Sequence, residues 1–145
     1  MADAKRIQII EDDREIADLV AEELTDRGYE VRTAYSGQEG CSAIFEAAPD
    51  LVLSDLMMPV MSGFDVLNRL AAASPTFRNI PFVFLSGQSE REVALRAQLA
   101  GADDFVVKPV DFDVLDRIIS TRLALAASQM EGADLVDRRS ERASD

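Results

Sequence analysis

The stretch LVLSDLMMPVM, residues 51–61, decides the fold that the rest of the sequence must complete. It opens with an apolar run, stops at the acid Asp55, and continues into a loop that contains Pro59 and leads to Gly63. A buried parallel strand has this pattern, because both of its faces are covered and only its end reaches solvent. The carboxyl ends of such strands are where α/β proteins bind ligands, so Asp55 is a candidate nucleophile or metal ligand. An acid can equally begin an ordinary loop, and the remaining sequence decides between these interpretations.

Four more stretches have the composition of short strands, and helical patterns separate all of them. They lie at residues 6–10, 29–34, 81–86 and 104–107. Each, like the strand at 51–54, is followed by a segment of helical periodicity, so the β–α unit occurs five times. This repetition predicts an α/β fold with a parallel sheet covered by helices on both faces. Periodicity alone does not give the strand order.

Capping and breaking residues mark the predicted helices. Capping-box pairs indicate helix starts at Ser36–Glu39 and Ser89–Glu92. Stop signals follow at Gly28, Pro49, Pro75 and Gly101. The buried face of the first helix is predicted from the apolar stripe Ile16, Leu19, Val20 and Leu24. In the second helix Cys41 lies on the apolar stripe, which predicts a core residue and not a reactive thiol.

The composition excludes several classes of site and partner. The chain has 145 residues, a net charge of −12, one cysteine and no histidine. Without histidine there is no His-based triad, no His-ligated zinc site and no phosphodonor histidine within the chain. A metal must therefore be held by oxygen, which favours hard cations such as Mg²⁺, Mn²⁺ or Ca²⁺. The negative charge argues against direct binding of nucleic acid or of an anionic membrane.

The sequence also indicates the compartment. It has no apolar run of bilayer length, and its first residues lack a signal-peptide pattern because Glu11, Asp12 and Asp13 interrupt the apolar run. The single Cys41 excludes an intramolecular disulfide and fits a reducing environment. We therefore expect a cytoplasmic protein.

Polar residues of complementary chemistry follow four of the five predicted strands. They are Glu11, Asp12 and Asp13, then Asp55, Ser86 and Lys108. Because the carboxyl ends of parallel strands lie at one edge of the sheet, these groups are expected to share a cleft. Carboxylates this close repel each other, and a divalent cation, Mg²⁺ in particular, would offset the repulsion. The set suits phosphoryl transfer to Asp55, which needs a nucleophile, cationic groups and a hydrogen-bond donor.

Four segments together resemble the receiver domain of two-component response regulators. They are IIEDD (9–13), LVLSDLMMPVMSGFDVL (51–67), FVFLSG (82–87) and GADDFVVKP (101–109). The resemblance covers about residues 5–125. It implies a CheY-like, flavodoxin-like (βα)5 three-layer sandwich with sheet order 2-1-3-4-5. It also implies that Asp55 accepts a phosphoryl group from a histidine kinase or a histidine phosphotransfer protein. Such a domain is not an enzyme acting on other molecules; it catalyses only its own phosphorylation and dephosphorylation.

The resemblance further implies how a metal would be held. Asp12 and Asp55 would bind Mg²⁺, or Mn²⁺, directly, together with the backbone carbonyl of Met57. Glu11 would act mainly through water. Asp13 lies just beyond this acidic pair and is not assigned.

The remaining site residues are implied in the same way. Ser86 and Lys108 would contact the phosphoryl group, and the peptide bond between Lys108 and Pro109 would be cis. Ser86 and Phe105 would form a switch pair. Their movement would alter the face made by the predicted helix at 89–100, the strand at 104–107 and the last helix.

Two positions depart from the family's usual pattern, and two others bear on the lifetime of the phosphoryl group. Ser86 replaces threonine and keeps the hydroxyl donor, whereas Phe105 replaces tyrosine and lacks the hydroxyl. Met57 and Gln88, two residues after Asp55 and Ser86, flank the path of the attacking water in this family. A bulky apolar Met57 is therefore predicted to slow hydrolysis of the acyl phosphate.

The end of the chain has two interpretations. We expect a receiver domain at 1–127, and at 128–145 a helical extension that ends in a disordered, charged tail. The extension either packs locally and frays, or pairs with a second copy or leads to an output domain. The expected partners are the phosphodonor protein, an unidentified downstream protein, and a second copy in a phosphorylation-dependent homodimer. That homodimer would form through the switch face or through the extended helix.

Two other functions use related chemistry or the same fold. A flavin-binding electron carrier would need a first β–α loop rich in Ser, Thr and Gly, whereas this loop is acidic and would repel a flavin phosphate. An aspartate-nucleophile phosphatase would need a general acid two residues after Asp55, where Met57 stands.

Overall fold

The computed structural model describes residues 3–87, 96 and 101–143. Within them, strands and helices alternate along most of the chain. The strands are β1 (Arg6–Ile10), β2 (Glu30–Ala34), β3 (Leu51–Asp55), β4 (Phe82–Ser86) and β5 (Asp104–Val107). The helices are α1 (Arg14–Asp26), α2 (Gly37–Glu46), α3 (Gly63–Ala73), α4 (Pro75–Arg78) and α5 (Phe112–Ala143).

The five strands form one parallel sheet in the order β2-β1-β3-β4-β5. The α/β class and the order 2-1-3-4-5 are thereby confirmed. Both β3 and β4 are buried along their whole length, which explains the near-continuous apolar run that ends at Asp55. The carboxyl ends of β1, β3, β4 and β5 lie at the same edge of the sheet, where the predicted site residues begin.

Alternating strand residues supply two cores, one on each face of the sheet. The core toward α1 and α5 contains Ile7, Ile9, Val20, Leu24, Leu51, Leu53, Val83, Leu85, Val106, Leu115 and Ile119. The core toward α2 and α3 contains Ile10, Cys41, Ile44, Val52, Leu56, Val66, Leu67, Leu70, Phe82 and Phe84. The period of two along each strand divides these residues between the faces and produces three layers. Cys41 is a buried core residue, as predicted.

Side-chain caps fix the starts of the helices next to the site. Asp13 is the N-cap of α1, and its carboxylate accepts hydrogen bonds from the backbone N–H groups of Glu15 and Ile16. Ser62 and Asp65 form a reciprocal capping box at the start of α3. Both helices therefore begin at a defined residue close to the carboxyl edge of the sheet.

Some details of the helices differ from the prediction. Leu19 is 52% exposed, and Ala17 instead of Leu19 completes the buried face of α1. α3 ends before Pro75 as expected, but Pro75 then occupies the first turn of the short helix α4, where its missing N–H costs nothing. The predicted helix at 89–100 lies outside the described residues, except for Arg96, which is helical.

The last helix is longer than the sequence pattern indicates. The sequence predicts at 128–145 a helical extension that ends in a disordered, charged tail, and α5 continues through this extension to Ala143. The charged stretch that begins at Asp137 is helical as far as Ala143, because it contains neither Gly nor Pro to stop the helix. The division of the chain at residue 127 remains a prediction.

Gly63, the first residue of α3, lies against the end of β3. A Cβ at this position would stand 2.3 Å from the backbone oxygen of Asp55 and 2.8 Å from a ring carbon of Phe84. The backbone N–H of Gly63 donates to the carbonyl of Leu56 at 2.9 Å. Helix α3 can therefore start directly beside Asp55 only because residue 63 has no side chain.

We expect Gly63→Ala to destabilise the domain by about 1–3 kcal/mol, because the added methyl group meets a backbone atom that cannot rotate away. Gly87→Ala is the matched control, since a Cβ there would meet no atom of the described residues within 4 Å. Urea unfolding followed by circular dichroism measures both variants. Equal free energies of unfolding for the two variants would contradict the proposed close approach.

Candidate functional site

Three carboxylates meet at the carboxyl edge of the sheet. Glu11 and Asp12 follow β1, and Asp55 ends the neighbouring strand β3, whose Ser54 is in register with Ile10. One carboxylate oxygen from each of the three residues lies within 4.8 Å of the others. Glu11 is fully buried, Asp55 is 6% exposed, and Asp12 is exposed. The cluster thus has a buried inner part and one carboxylate that solvent reaches.

Lys108 brings a positive charge to the two buried carboxylates. It follows β5, and its backbone N–H donates to the carbonyl of Ser86 at 2.7 Å. Its ammonium contacts Glu11 Oε1 and lies 3.4 Å from Asp55 Oδ1. The Lys108 side chain is 19% exposed. One largely buried ammonium therefore forms ion pairs with two carboxylates.

Burial is the largest single influence on the pKa values of Glu11, Asp55 and Lys108. It raises the pKa of the Glu11 carboxyl from 4.5 to about 8, helped by the hydrogen bond with Asp55 and opposed by Lys108. Burial also raises the pKa of Asp55, against the lowering effects of its hydrogen bond with Glu11 and of the Lys108 charge. Burial disfavours the Lys108 ammonium, but its hydrogen bond to Glu11 and the nearby negative charges outweigh burial and raise the pKa of Lys108. One ammonium does not compensate two buried carboxylates.

The donor set fits a hard divalent cation. All of its ligand atoms are carboxylate oxygens, which Mg²⁺ and Mn²⁺ prefer over softer metals. Glu11 Oε2 is buried and has no hydrogen-bond partner among the described residues. An orphaned oxygen of this kind is costly unless a cation or an ordered water meets it. The residues Glu11, Asp12 and Asp55 could therefore hold a metal.

Asp13 has a different function from its two acidic neighbours. Its carboxylate caps α1 by accepting the N–H groups of Glu15 and Ile16, at 3.1 and 3.2 Å. The resemblance to the receiver family does not assign a role to Asp13. The signal that could have separated them is the position of Asp13 directly before the helical pattern, which is typical of an N-cap.

The structure places Ser86 and Phe105 on the adjacent strands β4 and β5. Ser86 is buried at the end of β4, one residue beyond Leu85, which is in register with Asp55. Phe105 lies in β5 opposite Phe84 and is partly buried against the core toward α2 and α3.

Other predicted positions lie at the margin of the cluster or beyond it. The Lys108–Pro109 peptide bond is cis. Met57 is 74% exposed at the start of the β3–α3 loop. Gln88, predicted to flank the path of water, lies outside the described residues.

The sequence pattern gave no sign of the backbone conformation at Val60. This residue has a φ of 67°, in the left-handed region that β-branched side chains rarely adopt, and its side chain is fully exposed. Only a glycine or asparagine at this position would have signalled such a turn in advance.

Among the described residues, no helix combines the length and the apolar composition needed to cross a bilayer.

Known proteins share both this fold and much of this sequence. A family model of the response regulator receiver domain matches residues 7–120. The transcriptional regulatory protein DltR of Streptococcus agalactiae is 36% identical over 110 residues, which make up 76% of this chain and 48% of that protein. The chain spans about half the length of the first curated relatives it matches.

Two solved structures extend this comparison. NtrX from Brucella abortus in complex with ATP gives a TM-score of 0.84 at 33% identity, covering 91% of this chain and 30% of that one. The chemotaxis protein CheY4 of Vibrio cholerae gives a TM-score of 0.77 at 28% identity, covering 81% of this chain and 98% of that one. The sheet is therefore CheY-like, and with a match over residues 7–120 the chain belongs to the family of response regulator receiver domains.

Proposed function

We propose that this domain accepts a phosphoryl group on Asp55 from the phosphohistidine of a histidine kinase or a histidine phosphotransfer protein. The observation that carries the proposal is the meeting of Asp55, Glu11 and Asp12 with Lys108 at the carboxyl edge of the sheet. Asp55 ends β3 at this edge and is 6% exposed, so its carboxylate is largely shielded from solvent. Family membership supports the same assignment.

The transfer itself is an in-line exchange of two bonds. A carboxylate oxygen of Asp55 attacks the phosphorus, the P–N bond of the phosphohistidine breaks, and the imidazole leaves with the electron pair and takes up a proton. The Lys108 ammonium, 3.4 Å from Asp55 Oδ1, is placed to hold an oxygen of the transferred group. Ser86, at the end of the adjacent strand, would donate a hydrogen bond to another oxygen.

We propose Asp12, Asp55 and the backbone carbonyl of Met57 as the direct ligands of Mg²⁺, with Mn²⁺ as a substitute and Glu11 acting through water. When bound, the cation would neutralise charge on the phosphoryl oxygens and on the crowded carboxylates. Glu11, fully buried, orients Lys108 through their direct contact.

Output would follow from a shift between two states of the domain. The phosphoryl group favours the state in which Ser86 has moved toward it and Phe105 has turned into the vacated space. The affected face includes β5 and α5, together with the predicted helix at 89–100. Because the chain carries a charge of −12, we propose that this face contacts a protein and not nucleic acid.

A second copy of the chain is one such partner. We propose that the homodimer uses this face or the extended part of α5. The helix continues to Ala143, well beyond Leu123, which is packed against the core toward α1 and α5.

The two alternative functions are not favoured. Glu11 and Asp12 stand where a flavin phosphate would have to bind. Met57 occupies the position at which a phosphatase of this class needs a general acid.

Asp55→Ala should abolish phosphoryl uptake, because the other carboxylate that contacts Lys108 among the described residues, that of Glu11, is fully buried. Asp26→Ala, which removes an exposed carboxylate at the end of α1, should leave uptake unchanged. Incubation with a phosphorylated phosphotransfer protein and Mg²⁺, followed by intact-mass spectrometry, measures the transfer. Equal mass gain in the wild type and Asp55→Ala would sink the assignment.

The stability of the metal-free domain should depend on pH. Since folding raises the pKa of Glu11 from 4.5 to about 8, the folded state binds more protons than the unfolded state between these values. Its free energy of unfolding therefore falls as pH rises through this window. Mg²⁺ binds the ionised carboxylates, so it should raise the melting temperature more at pH 8 than at pH 5.

Glu11→Gln tests the origin of this dependence. It should flatten the pH profile of the melting temperature without metal, whereas Glu15→Gln, which changes an exposed side chain, should not. A Glu11→Gln profile as steep as that of the wild type would show that another group is responsible.

Met57→Asn should shorten the lifetime of the acyl phosphate several-fold, because an amide can hydrogen-bond the attacking water where the thioether cannot. Met57→Leu is the matched control, since it keeps an apolar side chain of similar volume and should keep the wild-type lifetime. Loss of phosphoryl label over time gives the rates. Equal lifetimes for all three proteins would dispose of the idea.

A further inference from the structure

The loop that joins β3 to α3 is closed at both ends beside Asp55. At its start, the N–H of Leu56 donates to the carbonyl of Leu85 at 2.9 Å. At its end, the N–H of Gly63 donates back to the carbonyl of Leu56 at 2.9 Å, and the Gly63 Cα faces the Asp55 carbonyl. Residues 57–62 therefore form a closed loop whose two ends lie next to each other beside Asp55. A change of direction anywhere in this segment moves its other residues.

The turn at the centre of this loop is strained. The N–H of Met61 donates to the carbonyl of Pro59 at 2.7 Å, which closes a three-residue turn around Val60. With the Val60 φ of 67°, this is the rare form of γ-turn that ordinary residues avoid, and a β-branched side chain makes it less favourable still. Val60 is fully exposed, so its own side chain supplies no packing that could hold the turn.

Met61, the residue after the strained turn, is packed tightly against the first turn of α2. A Cβ on Gly37 would stand 2.8 Å from the Met61 carbonyl oxygen and 2.9 Å from Met61 Cγ. The Met61 sulfur lies 4.0 Å from the sulfur of Cys41, one helical turn further on. Met61 is also packed against the core toward α2 and α3. Met61 can pack in this position only because Gly37 has no side chain.

We infer that Met61 is a positioning residue. By packing against Gly37 and Cys41, it holds Val60 in its strained conformation. It thereby fixes the direction of the Met57 backbone. This inference rests on the proposed function, in which the Met57 carbonyl and Asp55 bind Mg²⁺. Met61 itself touches neither the metal nor the phosphoryl group. It acts through the loop, because a Val60 that relaxed to negative φ would redirect the short segment between Asp55 and Met61.

The test compares Met61→Ala, Met61→Leu, Val60→Gly and the double variant Val60→Gly/Met61→Ala. Isothermal titration calorimetry measures Mg²⁺ affinity, and NMR hydrogen exchange follows the amides of Met61, or its replacement, and Gly63. Met61→Ala should weaken Mg²⁺ binding about tenfold, the lower end for groups that support metal ligands, and speed exchange at both amides. Met61→Leu should stay close to the wild type.

The double variant separates positioning from general packing. Glycine adopts positive φ without cost, so Val60→Gly should restore much of the Mg²⁺ affinity that Met61→Ala loses, although it adds no contact. Ile118→Ala is the matched control, because it removes a partly buried side chain from the opposite core. It should lower the stability and leave Mg²⁺ affinity unchanged.

The outcomes are distinct. Wild-type Mg²⁺ affinity in Met61→Ala, or a double variant that binds no better than Met61→Ala, would overturn the positioning role while the proposed function stands. A wild-type domain that binds no Mg²⁺ and takes up no phosphoryl group would overturn the proposed function and the positioning role with it.

Discussion

Two buried carboxylates, Glu11 and Asp55, share the single ammonium of Lys108, and the arrangement of the strands follows from the need to bring these three groups together. β1 and β3 are neighbours, so Glu11 and Asp55 meet directly. β5 is separated from β3 by β4, a distance of about 10 Å across the sheet. A side chain as long as lysine is needed to span that distance, and Ser86 lies at the end of the strand between. The sheet order thus determines how long the side chain at each strand end must be to reach the cluster.

The cluster contains more negative than positive charge, because one ammonium contacts two buried carboxylates. Buried charges that lack full compensation destabilise the folded state, and here Glu11 and Asp55 both have a raised pKa. The two apolar cores, one on each face of the sheet, supply the stability that tolerates such a cluster. A site that is short of positive charge favours the binding of a cation, and under the proposed function that cation would in turn prepare the site for a phosphoryl group. The same shortage would be a defect in a purely structural cluster.

The sequence predicted the fold and most of the cluster because both depend on periodic or topological rules. Apolar runs indicate strands, and parallel strands have their carboxyl ends at one edge of the sheet. The sequence alone therefore predicted that Asp55, Glu11 and Lys108 lie close together. Features that depend on a particular neighbour were not predictable in this way. Leu19 is exposed because Ala17 fits closer to the sheet, and Asp13 caps a helix instead of joining the carboxylates.

The stretch at 51–61 consists of a fully buried strand followed by a loop that contains exposed residues. Leu51 to Asp55 is buried on every residue, so substitutions there disturb the core and the position of the Asp55 carboxylate together. In the loop that follows, Met57 and Val60 are exposed and contribute little to either core. Substitutions at these two positions can alter water access or the loop backbone without loss of the fold. If Asp55 is the phosphoryl acceptor as proposed, such a domain would keep a fixed acceptor while its loop sets how long the acceptor stays phosphorylated. The timing of the signal would then change independently of the chemistry that starts it.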